Sequence, residues 1–383
     1  MTNKTIFLLG NGIRNNPQLI EYVKSLNTPI VLTWMSRDLL DENDVRYIGC
    51  CGTMGSRSAN ILIQKADLIY IMGARLDDDT VAFRLDNFGK NAKKIVYDVD
   101  QAELDKLPNN SQWKKIKIDL NKIDSINYTE EPNLNWLYWC KALYTSFLYE
   151  SDNKENTKFV DVNSFVNLMS DICTENDVIA LGSSSTAPVS FLQNFKVKRG
   201  QRITGCSTIG SMGLCIGMSI GACIGSGNKR TICPTGDGSF LMQSQELEVV
   251  RRLNLPIKYF IYNNNGYSAI RSMQLNRFGT DHKVGCDPES GLTLPSIRKL
   301  ANVYDIDYVR IHTLNDFTTK SIKHHMDTNK PSIIELNIDP NHIQFPKVGT
   351  SLINGKFITD DISDMTPKLS KKELENILSY EIP

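Results

Sequence analysis

The chain has 383 residues, which at roughly 150 residues per domain excludes a single small module and points to two or three domains. Its 43 lysines and arginines balance 43 aspartates and glutamates, so no net field draws in nucleic acid or an anionic membrane. With 41% hydrophobic and 22% charged residues, wholesale disorder is excluded as well.

The first ten residues hold one lysine and an apolar run too short for a secretory core, with no cleavage site, so a cytoplasmic location is expected. Short apolar strands at 5–9, 30–34, 68–72 and 94–99 alternate with helix-length stretches, the order of a parallel, doubly wound sheet. Gly10, Asn11 and Gly12 follow the first strand. Asn15 stands where the last glycine of a dinucleotide fingerprint falls, so a tight structural turn is favoured over a phosphate site.

From about 121 to 158 the pattern blurs into polar and charged stretches around one helix. A second α/β pattern follows, with strands at 178–181, 231–234, 257–262, 308–311 and 332–337. Beyond residue 345 the chain is punctuated by Pro, Gly and Asp and ends in a short capped helix. The expected division is a first α/β domain over 1–125, a linker over 126–158, a second over 159–345 and a tail over 346–383.

Nine cysteines at irregular spacing form neither a disulfide framework nor a CxxC zinc pair, and are read as reduced, mostly buried thiols. Residues 203–228 carry no charge, and Gly213, Gly217, Gly221 and Gly225 recur every four positions. That length spans a bilayer, but the interspersed Ser, Thr and Asn dilute it. The reading is a buried helix, entered through a glycine-rich loop, whose small face lets another backbone pack close.

The most informative constellation is Gly236-Asp237-Gly238-Ser239-Phe240 after one strand and Asn263-Asn264-Asn265-Gly266-Tyr267 after the next. Both turns fall at C-terminal strand ends, where open α/β sheets gather ligands. One crossover helix fits between them, so they can face one crevice. The Asp237 carboxylate, the Asn264 amide oxygen and the Gly266 main-chain carbonyl are three hard oxygens suited to Mg²⁺, with phosphate oxygens and water completing the shell. Glycines beside them let backbone approach a diphosphate, and Ser239 opens the following helix with its free amides.

This pair resembles the thiamine diphosphate signature of the acetolactate synthase, pyruvate decarboxylase and benzaldehyde lyase superfamily. The likeness extends to Gly210-Ser211-Met212-Gly213, and implies that Met212 wedges beneath the cofactor and forces its rings into a V shape. It reaches the first domain through Thr33-Trp34-Met35, Gly52 to Asn60 and Gly73-Ala74-Arg75-Leu76-Asp77-Asp78. The implied fold is two doubly wound parallel-sheet domains, a Rossmann-like central domain and a thiamine diphosphate-binding domain. The implied cofactor-binding residues are Gly210, Met212, Asp237, Gly238, Ser239, Asn264, Gly266 and Tyr267. In acetolactate synthases the central domain carries FAD. Here Asp79 replaces an arginine and a glycine-histidine motif is missing, which leaves FAD in doubt; Arg57 and Arg75 would be its natural phosphate partners.

A narrower likeness, in residues 264–271, 287–291 and 361–367, is to acetolactate-synthase-like proteins found with surface-polysaccharide enzymes. Family members also have a pyrimidine-binding domain whose glutamate activates the cofactor. That domain precedes everything present here, so a second chain supplying it, within an oligomer, is expected. Glu246 is read as a helix residue bracing the site. The likeness implies decarboxylation of a 2-oxoacid such as pyruvate, with the two-carbon unit passed to an acceptor carbonyl. Ile270 stands where pyruvate decarboxylases carry an acidic relay, which disfavours simple aldehyde release. Arg271 and Arg277 are placed in a loop bordering the crevice, able to hold a substrate carboxylate, while His324 and His325 are read as solvent-facing. A catalytically silent cofactor-binding subunit is the alternative. Gly217, Ser183 and Ser184, which depart from the family pattern, favour it mildly. A nucleotide sensor using only the first domain is a third reading.

Overall fold

The computed structural model describes residues 4–148, 158–182, 186–205, 210–279, 282–317 and 319–381. Ser183, Ser184 and Cys206 therefore lie outside the described residues, as does much of the loop expected to lead into the glycine-rich helix. The chain forms two compact units, Met1–Glu150 with Phe345–Pro383, and Ser151–Gln344.

Each unit is built on a six-stranded parallel sheet. In the first the strands are β1 (Thr5–Leu9), β2 (Ile30–Leu32), β3 (Tyr47–Cys50), β4 (Leu68–Met72), β5 (Lys93–Asp98) and β6 (Trp113–Lys117), in the order β3-β2-β1-β4-β5-β6. β1 and β4, at the centre, are buried throughout, as parallel strands covered on both faces must be. In the second the strands are β7 (Val178–Leu181), β8 (Arg202–Gly205), β9 (Thr231–Gly236), β10 (Ile257–Asn263), β11 (Asp307–Ile311) and β12 (Ser332–Asn337), in the order β11-β12-β10-β9-β7-β8. β9 and β10 pair in register up to Thr235 and Gly236 against Ile261 and Tyr262, so their two following turns emerge side by side.

Two segments expected to stand apart belong to the first unit. The helix within the expected linker, Leu134–Ser146, sends Trp136 into the core, where its indole N–H donates to Thr5 O at 2.8 Å. Its Lys141 ammonium donates to the carbonyls of Glu42, Asp44 and Tyr47. The expected tail returns as well: Val348, Ile362 and Met365 join the same core. Arg57 donates to the carbonyls of Met365 and Pro367, and Lys65 to those of Leu378 and Tyr380. The capped helix at its end, Lys371–Ser379, carries a capping box between Ser370 and Glu373.

The uncharged helix, Leu214–Gly225, corrects the expectation of full burial. Cys215, Ile216, Ser219 and Cys223 pack inward toward β7 and β9, whereas Gly217, Gly221 and Gly225 are exposed. A Cβ at Gly221 or Gly225 would meet nothing within 4 Å. Among the described residues no helix is long and apolar enough to cross a membrane.

Candidate active site

Register brings the two turns together, and backbone hydrogen bonds then weld them around one carboxylate. Asp237 is 2% exposed; it accepts Gly238 N–H at 2.8 Å on one oxygen and Gly266 N–H at 3.0 Å on the other. Burial nevertheless pushes its pKa up to about 6, because the hydrogen bonds from Gly266, Gly238 and Asn265 and the charge of Arg271 only partly offset desolvation. A carboxylate left this exposed to protonation is one that gains from a nearby cation.

The second turn is shaped by Asn263, whose Oδ1 accepts Asn265 N–H at 3.0 Å while its Nδ2 donates to Glu335 at 2.7 Å. That local bond holds Asn265 in the left-handed region at φ 60°. Gly266 follows at φ 135°, where a Cβ would lie 2.3 Å from Cys286 O, so only glycine fits. Asn264, just before Asn265, is buried, and its Oδ1 has no hydrogen-bond partner. A buried amide oxygen without a donor carries a desolvation cost that a bound cation would remove.

The remaining expected residues assemble beside this pair. Gly213 N–H donates to Ser239 Oγ at 3.0 Å, stitching the Gly210–Gly213 stretch to the Asp237 turn. A Cβ on Gly238 would fall 2.3 Å from the Tyr267 ring and 3.4 Å from the Met212 Cε, so the three residues are in mutual reach across a bare backbone. Met212 is 38% exposed, a large thioether left open to solvent at the rim. Gly210, at φ 61°, has open space where its side chain would be. Asp237, Asn264 and Gly266 are thus the candidate metal ligands, and Gly210, Met212, Gly238, Ser239 and Tyr267 the candidate cofactor contacts. Among the described residues no group of three or more His, Cys, Asp or Glu side chains offers an alternative metal site.

Several residues have other places than expected. Arg271 and Arg277 lie on a helix, Ser268–Phe278, not in a loop. Arg271 does not face substrate: it is 6% exposed and donates to Asn264 O at 3.1 Å and to Pro340 O, with Asp287 at 3.9 Å. Asp287 is itself held to about 2 by the Lys283 ammonium and by Ser290, and Tyr267 N–H donates to Cys286 O at 2.9 Å. Three separated segments therefore converge under the Asn264 turn through one guanidinium, a role not legible from local spacing. Ile270 is exposed on the outer side of the same helix. Glu246 ends a short turn before the helix Leu247–Arg252, and its carboxylate braces nothing among the described residues. His324 is exposed, but His325 is half-buried, with an unpartnered Nδ1 and a pKa lowered by burial.

In the first unit the glycine turn is closed. A Cβ at Gly10 would lie 2.2 Å from Gly73 O, and one at Gly12 2.9 Å from Gly73 Cα, so both glycines serve backbone packing. Arg57 is consumed by the returning tail, and Arg75 lies 3.4 Å from Glu103. This packing fits the structural reading of the turn.

Comparison with known proteins agrees with this division. The thiamine pyrophosphate enzyme central domain matches residues 2–118, and the thiamine pyrophosphate enzyme C-terminal TPP binding domain matches residues 184–336. The acetolactate synthase large subunit of Cyanidium caldarium is 28% identical over 373 residues, covering 93% of this chain and 61% of its own length. A probable acetolactate synthase large subunit of Methanococcus aeolicus is 25% identical, covering 88% and 58%. The isozyme 2 large subunit of Escherichia coli (strain K12) is 24% identical, covering 93% and 63%. The chain spans about three fifths of the length of these relatives. It carries the central and C-terminal domains of the thiamine pyrophosphate enzymes and is homologous to acetolactate synthase large subunits.

Proposed function

We propose that the second unit holds the diphosphate end of thiamine diphosphate through Mg²⁺, and that the chain serves a 2-oxoacid decarboxylation with transfer of the two-carbon unit to an acceptor carbonyl. The observation that carries this reading is the pairing of the buried, high-pKa Asp237 carboxylate with the unpartnered Asn264 Oδ1 on adjacent turns. Both atoms are costly without a cation. When bound, the cofactor supplies the electron sink for cleavage of the bond to the carboxylate.

The chain's own residues bind and orient. Asp237, Asn264 and the Gly266 carbonyl hold the metal. Bare Gly238 lets the Tyr267 ring pack against the turn, with Met212 beside it as a second apolar wall. Arg271 fixes the turn that presents Asn264. The activating glutamate is assigned, on the family resemblance, to a pyrimidine-binding domain on another polypeptide, in a cytoplasmic oligomer.

Reconstitution tests the reading. Mixing this chain with a pyrimidine-binding domain from an acetolactate synthase relative should yield Mg²⁺-dependent pyruvate consumption, lost in Asp237→Ala. A verified complex that binds cofactor yet turns over no 2-oxoacid with any acceptor carbonyl would instead mark a silent cofactor-binding subunit.

A further inference from the structure

The second unit also holds a cavity of about 400 Å³ on the β10–β12–β11 flank of its sheet. The candidate cofactor residues Gly210 and Met212 follow β8, at the opposite edge, and the cavity meets the metal turn only through Asp237, Asn263 and Asn265. Its volume falls within the range of small-molecule sites, roughly 300 to 1,000 Å³.

Four charged side chains line it, and they are unequally satisfied. Glu335 is 3% exposed and spent: it accepts Asn263 Nδ2 at 2.7 Å and the Tyr308 hydroxyl at 2.6 Å, with Arg310 Nε at 3.6 Å. Asp237 accepts two backbone N–H groups and turns its remaining lone pairs to the candidate metal position. The arginines keep donors to offer. Arg298 lies over the Tyr308 ring, 5.3 Å from its centre, and has no carboxylate partner among the described residues. Arg310, beyond its pairing with Glu335, gives one nitrogen to Asn337 at 3.2 Å and leaves its side chain 35% exposed. A guanidinium with N–H groups left over still offers a ligand donors. Leu241, Leu294, Pro295 and Ile297 supply an apolar wall.

We propose that this cavity is a second ligand site, adjoining the diphosphate crevice at Asp237, which takes a small organic anion. A phosphate or carboxylate head meets Arg298 and Arg310, and an apolar body lies against Leu241 and Leu294. The guanidinium forks suit either head group. The inference does not rest on the thiamine diphosphate reading.

Calorimetric titration of the whole chain with phenyl phosphate, benzoate, inorganic phosphate, benzyl alcohol and benzylamine tests it. Phenyl phosphate or benzoate should bind, tighter than inorganic phosphate and than either uncharged or cationic ring; which of the two binds more tightly identifies the head group. Arg298→Ala should weaken binding about tenfold and Arg298→Ala/Arg310→Ala further, in variants shown by circular dichroism to be folded. Asn264→Ala, aimed at the metal turn, should leave probe binding unaltered. Equal binding of benzyl alcohol, equal affinity in the double variant, loss of probe binding in Asn264→Ala, or no binding by about 10 mM would each overturn the proposal.

Discussion

The two sheets end in similar glycine turns, yet the turns differ in the polar groups beside them. After β1, the space beside Gly10 and Gly12 is filled by the chain's own Gly73 and Ala74. After β9 and β10, the space beside Gly238 is filled by the Tyr267 ring, but a buried carboxylate at about pKa 6 and an orphaned amide oxygen lie alongside. A glycine motif is thus no evidence of a ligand by itself. What separates a packing turn from a binding turn is whether the polar groups beside it are already satisfied.

The sharpest way to break that contrast is to add one methyl group to each turn. Gly10→Ala drives a Cβ into the backbone of Gly73 and should cost about 3 kcal/mol of stability, read by denaturant unfolding. Gly238→Ala meets the Tyr267 ring, a side chain that can swing, so its stability loss should be smaller and its loss of Mg²⁺-dependent thiamine diphosphate binding larger. If Gly10→Ala is the variant that loses cofactor, the assignment of the two turns is reversed.

Next in size is the clamp beneath the metal turn. Arg271→Met should weaken thiamine diphosphate binding about tenfold or more, and Arg271→Lys should not restore it, since one ammonium cannot reach Asn264 O, Pro340 O and Asp287 together. An affinity unchanged in both variants would make Arg271 merely structural.

Smaller still is the acid dependence of Asp287. Its folded pKa of about 2 lies below the ordinary carboxylate value, so its stabilisation is present above about pH 4 and is lost as pH falls through 2. Asp287→Asn should therefore melt below the parent chain at neutral pH, and the difference should vanish near pH 2. Least of all, Gly221→Ala fills open space on an exposed helix face and should stabilise by up to about 1 kcal/mol.

Much of this arrangement was legible in the sequence, and the gaps have a common cause. β1, β4, β7 and β12 match their expected residues because central or well-covered parallel strands read as continuous apolar runs. The strands missed, β3, β6 and β8, all lie at sheet edges. There, one neighbour suffices and polar residues intrude, as in the lysines of Trp113–Lys117. The Asp237 and Asn264 turns were legible because each motif is local. The Arg271 clamp was not, because it joins residues 264, 271, 287 and 340 only after folding. The returning tail was missed for the same reason: Arg57 and Met365 are distant in sequence and hydrogen-bonded in space.

The most direct measurement is the affinity of the chain for thiamine diphosphate with and without Mg²⁺, in the parent and in Asp237→Ala and Asn264→Ala. Binding that requires Mg²⁺ and disappears in both variants is the expected result. Binding of unchanged strength without the metal, or retained when both oxygens are removed in turn, would contradict the proposed metal-bridged diphosphate site.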